Sequence, residues 1–255
     1  MKGYFADVFA GLAPVGRRLL LEGANVHIWE LGLGAAGDIC NVKNLKLLLH
    51  DIRLGAVRGV MLQPPCDTMS AIRNIDRRGP LRTRARPYGD EWAERDERLW
   101  PKVLAGNACA KAAATIARAC MKAGVPFVVE NPRASWLWKL PCWEGIVGDA
   151  RTTLCCCDQC MFGALWRKRT GLLCFGVPDE ELLKLQSRCN GSRSVCDKSG
   201  KQHILLIGTD GHGTCWTKRA QSYPLSMAKA IAAVLLHGTR TELLIRADKQ
   251  FCRRV

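Results

Sequence analysis

At 255 residues the chain can form one α/β domain that buries roughly 70–75% of the surface its unfolded form exposes, without covalent staples. Lys and Arg number 38 against 23 Asp and Glu, a net charge of +15, which points to an acidic polymer, most simply nucleic acid, before a membrane surface. No run approaches the roughly 18 apolar residues of a spanning helix, Asp7, Arg17 and Arg18 interrupt the apolar N terminus where a signal peptide needs a clean run, and a core of this size does not need its 14 cysteines as disulfides; the expectation is a reduced, soluble, intracellular monomer, nuclear in a eukaryote and cytoplasmic otherwise.

"YFADVFAG" (4–11) reads as a buried strand ending in glycine, and "PVGRRLLLEG" (14–23) as a short helix opened by proline and closed by glycine. "ANVHIWEL" (24–31) is a second strand. Asn41 can cap a helix whose Leu45, Leu48 and Ile52 share a face, and "VRGVMLQ" (57–63) is a third strand. Residues 72–100, rich in Arg, Gly and Pro and without a steady period, read as a long loop, which in compact domains is usually functional. Leu104, Ala108, Ala112, Ile116 and Cys120 recur every four residues through a helix over 101–124, and "VPFVVENP" (125–132) is a further strand. Beyond Cys174 a short helical "DEELLKL" and a Cys, Gly and Ser-rich stretch precede a closing helix, "PLSMAKAIAAVLLHG". Strand alternating with helix predicts an open, mostly parallel α/β sheet of Rossmann-like type. The main domain would cover 1–174, a small Cys-rich insert 175–220, and a helix returning to the main domain 221–255.

Ligands gather beyond the carboxyl ends of parallel strands. Gly11, Glu30, Cys66 and Glu130 stand at four such ends. Each alone has an ordinary use in a turn or at the surface; their joint position is the signal. Gly11 with Glu30 nineteen positions on matches the logic of nucleoside binding, glycine for close approach and an acid for ribose hydroxyls, although "FAGLAPVG" lacks the G-x-G-x-x-G of dinucleotide sites. Cys66 follows two prolines in "VMLQPPCDTMS" (60–70), a stiff lead-in, with Arg73 nearby. An unperturbed thiol is only about 3% ionised at neutral pH, so a reactive role requires such neighbours; a buried structural cysteine is the alternative. Cys157-x-x-Cys160 has the spacing of half a zinc site, which Cys189, Cys196 or His203 could complete, with free thiols as the other reading.

In order, "DVFAG" (7–11), "GDI" (37–39), "PPCDTMS" (64–70), "VVENP" (128–132), "WRKRT" (166–170) and "YPLSMAKAI" (223–231) resemble the cytosine-5 DNA methyltransferases over nearly the whole chain. The resemblance implies an S-adenosylmethionine-dependent methyltransferase in which Cys66 attacks carbon 6 of a flipped cytosine, Glu130 hydrogen-bonds ring nitrogen 3, and Arg167 or Arg169 steadies the pyrimidine carbonyl. It implies a cofactor site of Phe9, Ala10, Gly11, Glu30, Asp38, Ile39 and Pro64, with Glu30 at the ribose and Asp38 at the adenine amino group. Arg73, Arg82, Arg84 and Arg86 would grip DNA phosphates, and 175–220 would take the place of the target-recognition region. Asp67 stands where the family commonly has glutamine, and seven residues separate Glu30 from Asp38, fewer than in fuller members. The rival expectations are a catalytically silent nucleic-acid-binding homologue and an RNA cytosine methyltransferase; a thiol hydrolase lacks a histidine partner near a strand end.

Overall fold

The computed structural model describes residues 3–71, 79–191 and 194–251, with 239–251 as backbone alone. Six strands, β1 (Tyr4–Val8), β2 (Val26–Trp29), β3 (Val57–Leu62), β4 (Phe127–Pro132), β5 (Thr152–Asp158) and β6 (Arg169–Phe175), form one sheet of order β2-β1-β3-β4-β6-β5. The first four are mutually parallel, and β6 runs antiparallel to both β4 and β5. Around them lie α1 (Pro14–Leu21), α2 (Val42–Arg53), α3 (Glu91–Glu94), α4 (Trp100–Ala123), α5 (Pro141–Val147), α6 (Asp179–Leu183), α7 (Trp216–Arg219) and α8 (Leu225–Phe251). The chain is thus an α/β protein of Rossmann-like arrangement.

The termini of the helices follow their local chemistry. Pro14 begins α1, where a missing N–H costs nothing; the Asn41 side chain accepts from Lys43 N at 2.9 Å to cap α2; and Gly124, at φ 71°, ends α4 in the left-handed region. The chain leaves β1 toward β2 on one side, then returns across β1 to β3 and β4 on the other. Right-handed crossovers therefore put α1 on one face and α2 and α4 on the other. Leu48 and Ile52 of α2 and Ala113, Ile116 and Ala117 of α4 pack with Val8, Leu62 and Val129, while Val15 and Leu19 of α1 and Met227 and Ile231 of α8 pack with Phe5, Met61 and Val128. The reversal of strand order falls between β1 and β3, where an open α/β sheet forms its ligand crevice.

Three expectations change. On α4, Ala112, Ile116 and Cys120 are buried as expected, but Leu104 and Ala108 are exposed, and the first half of the buried stripe runs through Val103, Gly106, Asn107 and Ala110. A four-residue spacing advances about 40° per step against the 3.6-residue turn, so a stripe chosen that way winds off the buried face. Residues 72–100 include α3 as well as loop, and the hairpin β5–β6 supplies two strands that the sequence reading did not propose. Every described cysteine is a free thiol, and no described helix is long and apolar enough to cross a membrane.

Candidate active site

The chain continues from β3 into the sheet edge through Gln63, whose N–H donates to Val8 O at 3.0 Å. Two prolines then end the ladder, since neither has an N–H to give. Pro64 is buried and its carbonyl accepts from Asn131 Nδ2 at 2.8 Å, tying the end of β3 to the end of β4. The Cys66 carbonyl accepts from Met69 N at 3.1 Å and Ser70 N at 2.9 Å, closing a tight turn that leaves Cys66 half-buried at the crevice.

Glu130 is 6% exposed and stands opposite Leu172 in the antiparallel β4–β6 ladder. Paired residues share a face and alternation has period two, so the residue on Glu130's side is Lys168, while Arg167 and Arg169 have the wrong parity. Lys168 Nζ lies 3.7 Å from Glu130 Oε1 and donates to Ala220 O at 3.2 Å. The buried Tyr223 hydroxyl, from the lead-in to α8, hydrogen-bonds Glu130. Even so, Glu130 Oε1 is buried without a hydrogen-bond partner, because 3.7 Å is an ion-pair distance and not a hydrogen bond. Burial pushes the Cys66 thiol up, the Lys168 charge pulls it down, and Glu130 and Asp67 push it up again. A thiol, a carboxyl, an ammonium and a phenol therefore converge beyond the ends of β3 and β4.

The neighbouring turn after β1 is contorted. Phe9, Gly11 and Ala13 have φ of 57°, 54° and 51°, and Ala10 between them is buried. Two carboxylates hold it: Gly11 N donates to Glu30 Oε2 at 2.7 Å, and Gly16 N, in the first turn of α1, donates to Asp7 Oδ2 at 2.8 Å. Asp7 is fully buried and also accepts from Gln63 Nε2 at 2.6 Å; burial pushes its carboxyl up to about 7 despite the Gly16 and Gln63 bonds. Glu30 further accepts from Gly32 N at 3.3 Å. At Gly37 a Cβ would collide with the Glu30 backbone, so glycine there lets "GDI" fold back beside Glu30. Asp38 Oδ1 accepts from Cys40 N at 2.9 Å, and Ile39 is buried in the α2–α4 core.

Several expected site residues lie elsewhere. Arg167 donates to Asp158 Oδ2 at 3.2 Å and to the Cys189 carbonyl, and Arg169 is exposed opposite Asp158, so neither is the cation that acts on Cys66. Arg82 is fully buried and cannot reach a phosphate: it donates to Thr68 O at 2.8 Å, Thr68 Oγ1 at 3.1 Å, Pro87 O at 2.9 Å and Asn107 Oδ1 at 2.8 Å. Arg84 and Arg86 are exposed, Arg86 in an ion pair with Glu91, and Arg73 lies outside the described residues. Lys168, Tyr223, Asp7 and Gln63 were missed. Only Asp7 carried a local signal, an acid inside an otherwise apolar strand.

A second group of reactive side chains sits apart from this edge. Cys160, Cys189, Cys196 and His203, all buried, bring one ligand atom each within 4.8 Å of one another, an arrangement that could hold a metal ion. Cys157 is not among them; it packs with Leu172, Cys174 and Tyr223 on the sheet face covered by α8. Burial opposes ionisation of Cys196, but hydrogen bonds from Ser199, the Lys198 amide and His203 outweigh it and bring the thiol down to about 6. Cys160 is pushed up by burial and by the neighbouring Cys189 and Cys196.

No protein-family model matches the chain, and no curated protein matches it.

Proposed function

We propose that the chain is an S-adenosylmethionine-dependent methyltransferase of the cytosine-5 type, acting on DNA through a covalent Cys66 adduct. One observation carries the reading: the Cys66 thiol, the Glu130 carboxyl with its unpartnered Oε1, and the Lys168 ammonium meet at the sheet edge. It is supported by the ordered motifs that resemble that family. Lys168 takes the part expected of Arg167 or Arg169.

Cys66 Sγ, its proton passed to water, bonds to carbon 6 of the pyrimidine, and Lys168 stabilises the thiolate beforehand. Glu130 hydrogen-bonds ring nitrogen 3 and carries the proton that offsets charge pushed into the ring. Tyr223 fixes the orientation of that carboxyl. Once carbon 5 carries the donor's methyl group, the nitrogen-3 proton returns to Glu130, and departure of the carbon-5 proton to water restores the ring double bond as the carbon–sulfur bond breaks and Cys66 leaves as thiolate. The base must be flipped out of its stack to reach a sheet edge, at a cost of a few kcal/mol.

The residues after β1 and β2 fit the methyl donor. A carboxylate offers about four lone-pair sites, and Glu30 spends two on Gly11 N and Gly32 N, which leaves two for ribose hydroxyls. Gly11 bonds to that acid in the turn that carries Phe9 and Ala10, Asp38 follows the Gly37 that packs on the Glu30 backbone, and Gly11 has open space where a side chain would stand. S-adenosylmethionine, when bound, supplies the electrophilic methyl group. For the Cys160, Cys189, Cys196 and His203 group, three thiols with one imidazole suit Zn²⁺. Exposed Arg84 and Arg86 are the phosphate contacts of this reading.

The test is trapping with an oligonucleotide containing 5-fluorocytosine, in which no carbon-5 proton can leave. With S-adenosylmethionine, mass spectrometry should find a covalent complex at Cys66, absent in Cys66→Ser. No adduct with DNA or RNA would overturn the reading, and an adduct with RNA alone would transfer it to that polymer. The upward push on Cys66 favours one second reading, a silent nucleic-acid-binding homologue. Calorimetry with S-adenosylmethionine separates them, because the silent protein gives no binding heat.

A further inference from the structure

We infer that Cys160, Cys189, Cys196 and His203 form a tetrahedral Zn²⁺ site that clamps residues 187–191 and 194–203 to the turn between β5 and β6, and that this clamp positions Lys168 at Cys66 and Glu130. The positioning half rests on the reading of the Cys66 centre above; the metal half does not.

The geometry is that of a closed tetrahedral site. Zinc with sulfur at about 2.3 Å and nitrogen at about 2.0 Å puts its ligands roughly 3.5–3.8 Å apart. The four ligand atoms lie within 4.8 Å of one another, and Cys189 Sγ and His203 Nε2 are 3.8 Å apart. All four residues are at most 8% exposed. Sulfur ligands exclude calcium and magnesium, which take oxygen. The three thiols pack with Met161 as a cluster separate from the main cores, so there is little apolar burial to hold this corner together otherwise. A depression of about 290 Å³ lined by Arg167, Ser194, His203 and Ile204 borders the group at His203.

The backbone is arranged to present these groups. Cys160 lies in the 3₁₀ turn that leaves β5. The bridge between Val195 and Gln202, with His203 N donating to Ser194 O at 2.7 Å and Cys196 N to Lys201 O at 2.8 Å, sets Cys196 and His203 side by side. Cys189 N donates to Asp158 Oδ2 at 2.9 Å, the same oxygen that receives Arg167 Nε, and Arg167 also donates to the Cys189 carbonyl. Gln159 N donates to Lys168 O at 3.1 Å, and Ile204 N to Leu165 O at 2.8 Å. Ligand-bearing segments thus grip the turn next to Lys168 from both sides. This gives Arg167 its purpose: it fastens the metal loop to β5, as an outer partner orients a metal ligand.

The test uses the full-length chain. Purified in reducing buffer without chelator, it should carry one zinc per chain, and Co²⁺ in its place should give the absorption of a tetrahedral thiolate site; Cys215→Ser, at an exposed cysteine, should keep the metal. Zinc-free protein with Co²⁺ in octahedral form would overturn the site. For the clamp, iodoacetamide labelling of Cys66 at neutral pH is followed by peptide mass spectrometry. Stripping the metal with a chelator should slow it about tenfold, as Lys168→Gln should in the loaded protein, the equivalent of one pKa unit. An unchanged Cys66 rate in stripped protein overturns the clamp. Failure of the 5-fluorocytosine trap with zinc bound would remove the methyltransferase reading and leave the site standing.

Discussion

Asp7 shows how one side chain ties stability to pH. Its carboxyl is enclosed by Gly16 and Gln63 and is raised by burial from an ordinary value near 4 to about 7. A carboxyl raised in the fold binds its proton more tightly folded than unfolded. Its contribution is therefore full below about pH 4 and lost as pH rises through 7. Chemical denaturation of wild type should show stability falling across that window by a few kcal/mol relative to Asp7→Asn, in which Gln63 can turn its amide to accept from the new amide. Parallel pH profiles for the two proteins would mean that the carboxyl is not isolated from water. The residue was visible in "YFADVF" as an acid among apolar neighbours. Its partner Gln63 was not, because only the β1–β3 pairing joins them.

At the scale of elements, the loop before α3 is built around Arg82. Its guanidinium makes four hydrogen bonds to the Cys66 turn, to Pro87 and to α4, and burial lowers it to about 10. No carboxylate neutralises it within that set of bonds. Arg82→Ala would leave several buried acceptors unpaired and a cavity between Thr68 and Asn107. Urea unfolding should show a loss of about 3 kcal/mol or more; a loss below about 0.5 kcal/mol would mean that the side chain is dispensable to the fold. In "LRTRARP" the arginines alternate and nothing local marks one as buried, so a nucleic-acid contact was the natural reading. The units from β1 to β4 were legible because caps, prolines and glycines bound each one. The β5–β6 hairpin was not: "RTGLLCF" is buried on both faces and has no alternation, and "TTLCCCD" hides its strand in cysteines. The parity that selects Lys168 over Arg167 and Arg169 depends on that hairpin's register, which no local pattern discloses.

For the molecule as a whole, the net charge of +15 supplies attraction to a polyanion, but of the four arginines expected to grip it Arg82 is buried and Arg73 lies outside the described residues. Arg84 and Arg86 are exposed, and Arg86 shares its charge with Glu91. Replacing both by alanine should flatten the log–log salt dependence of DNA binding by about 1 to 2, with melting temperature unchanged. An unaltered slope would move the contact surface to another face. The crevice itself was legible as four strand ends, whereas Lys168 and Tyr223 arrive there from far along the chain through tertiary folding alone.

The turn after β1 bends Phe9 and Ala13, both bearing side chains, into left-handed backbone, at a cost of about 1 to 3 kcal/mol each. It is maintained by the ladder on either side of β1 and by Val8 and Val15 in the two cores. A lesion far away in the sheet would therefore slacken this corner before any strand came apart, and the turn that carries Gly11 would lose its shape while the protein still looked folded.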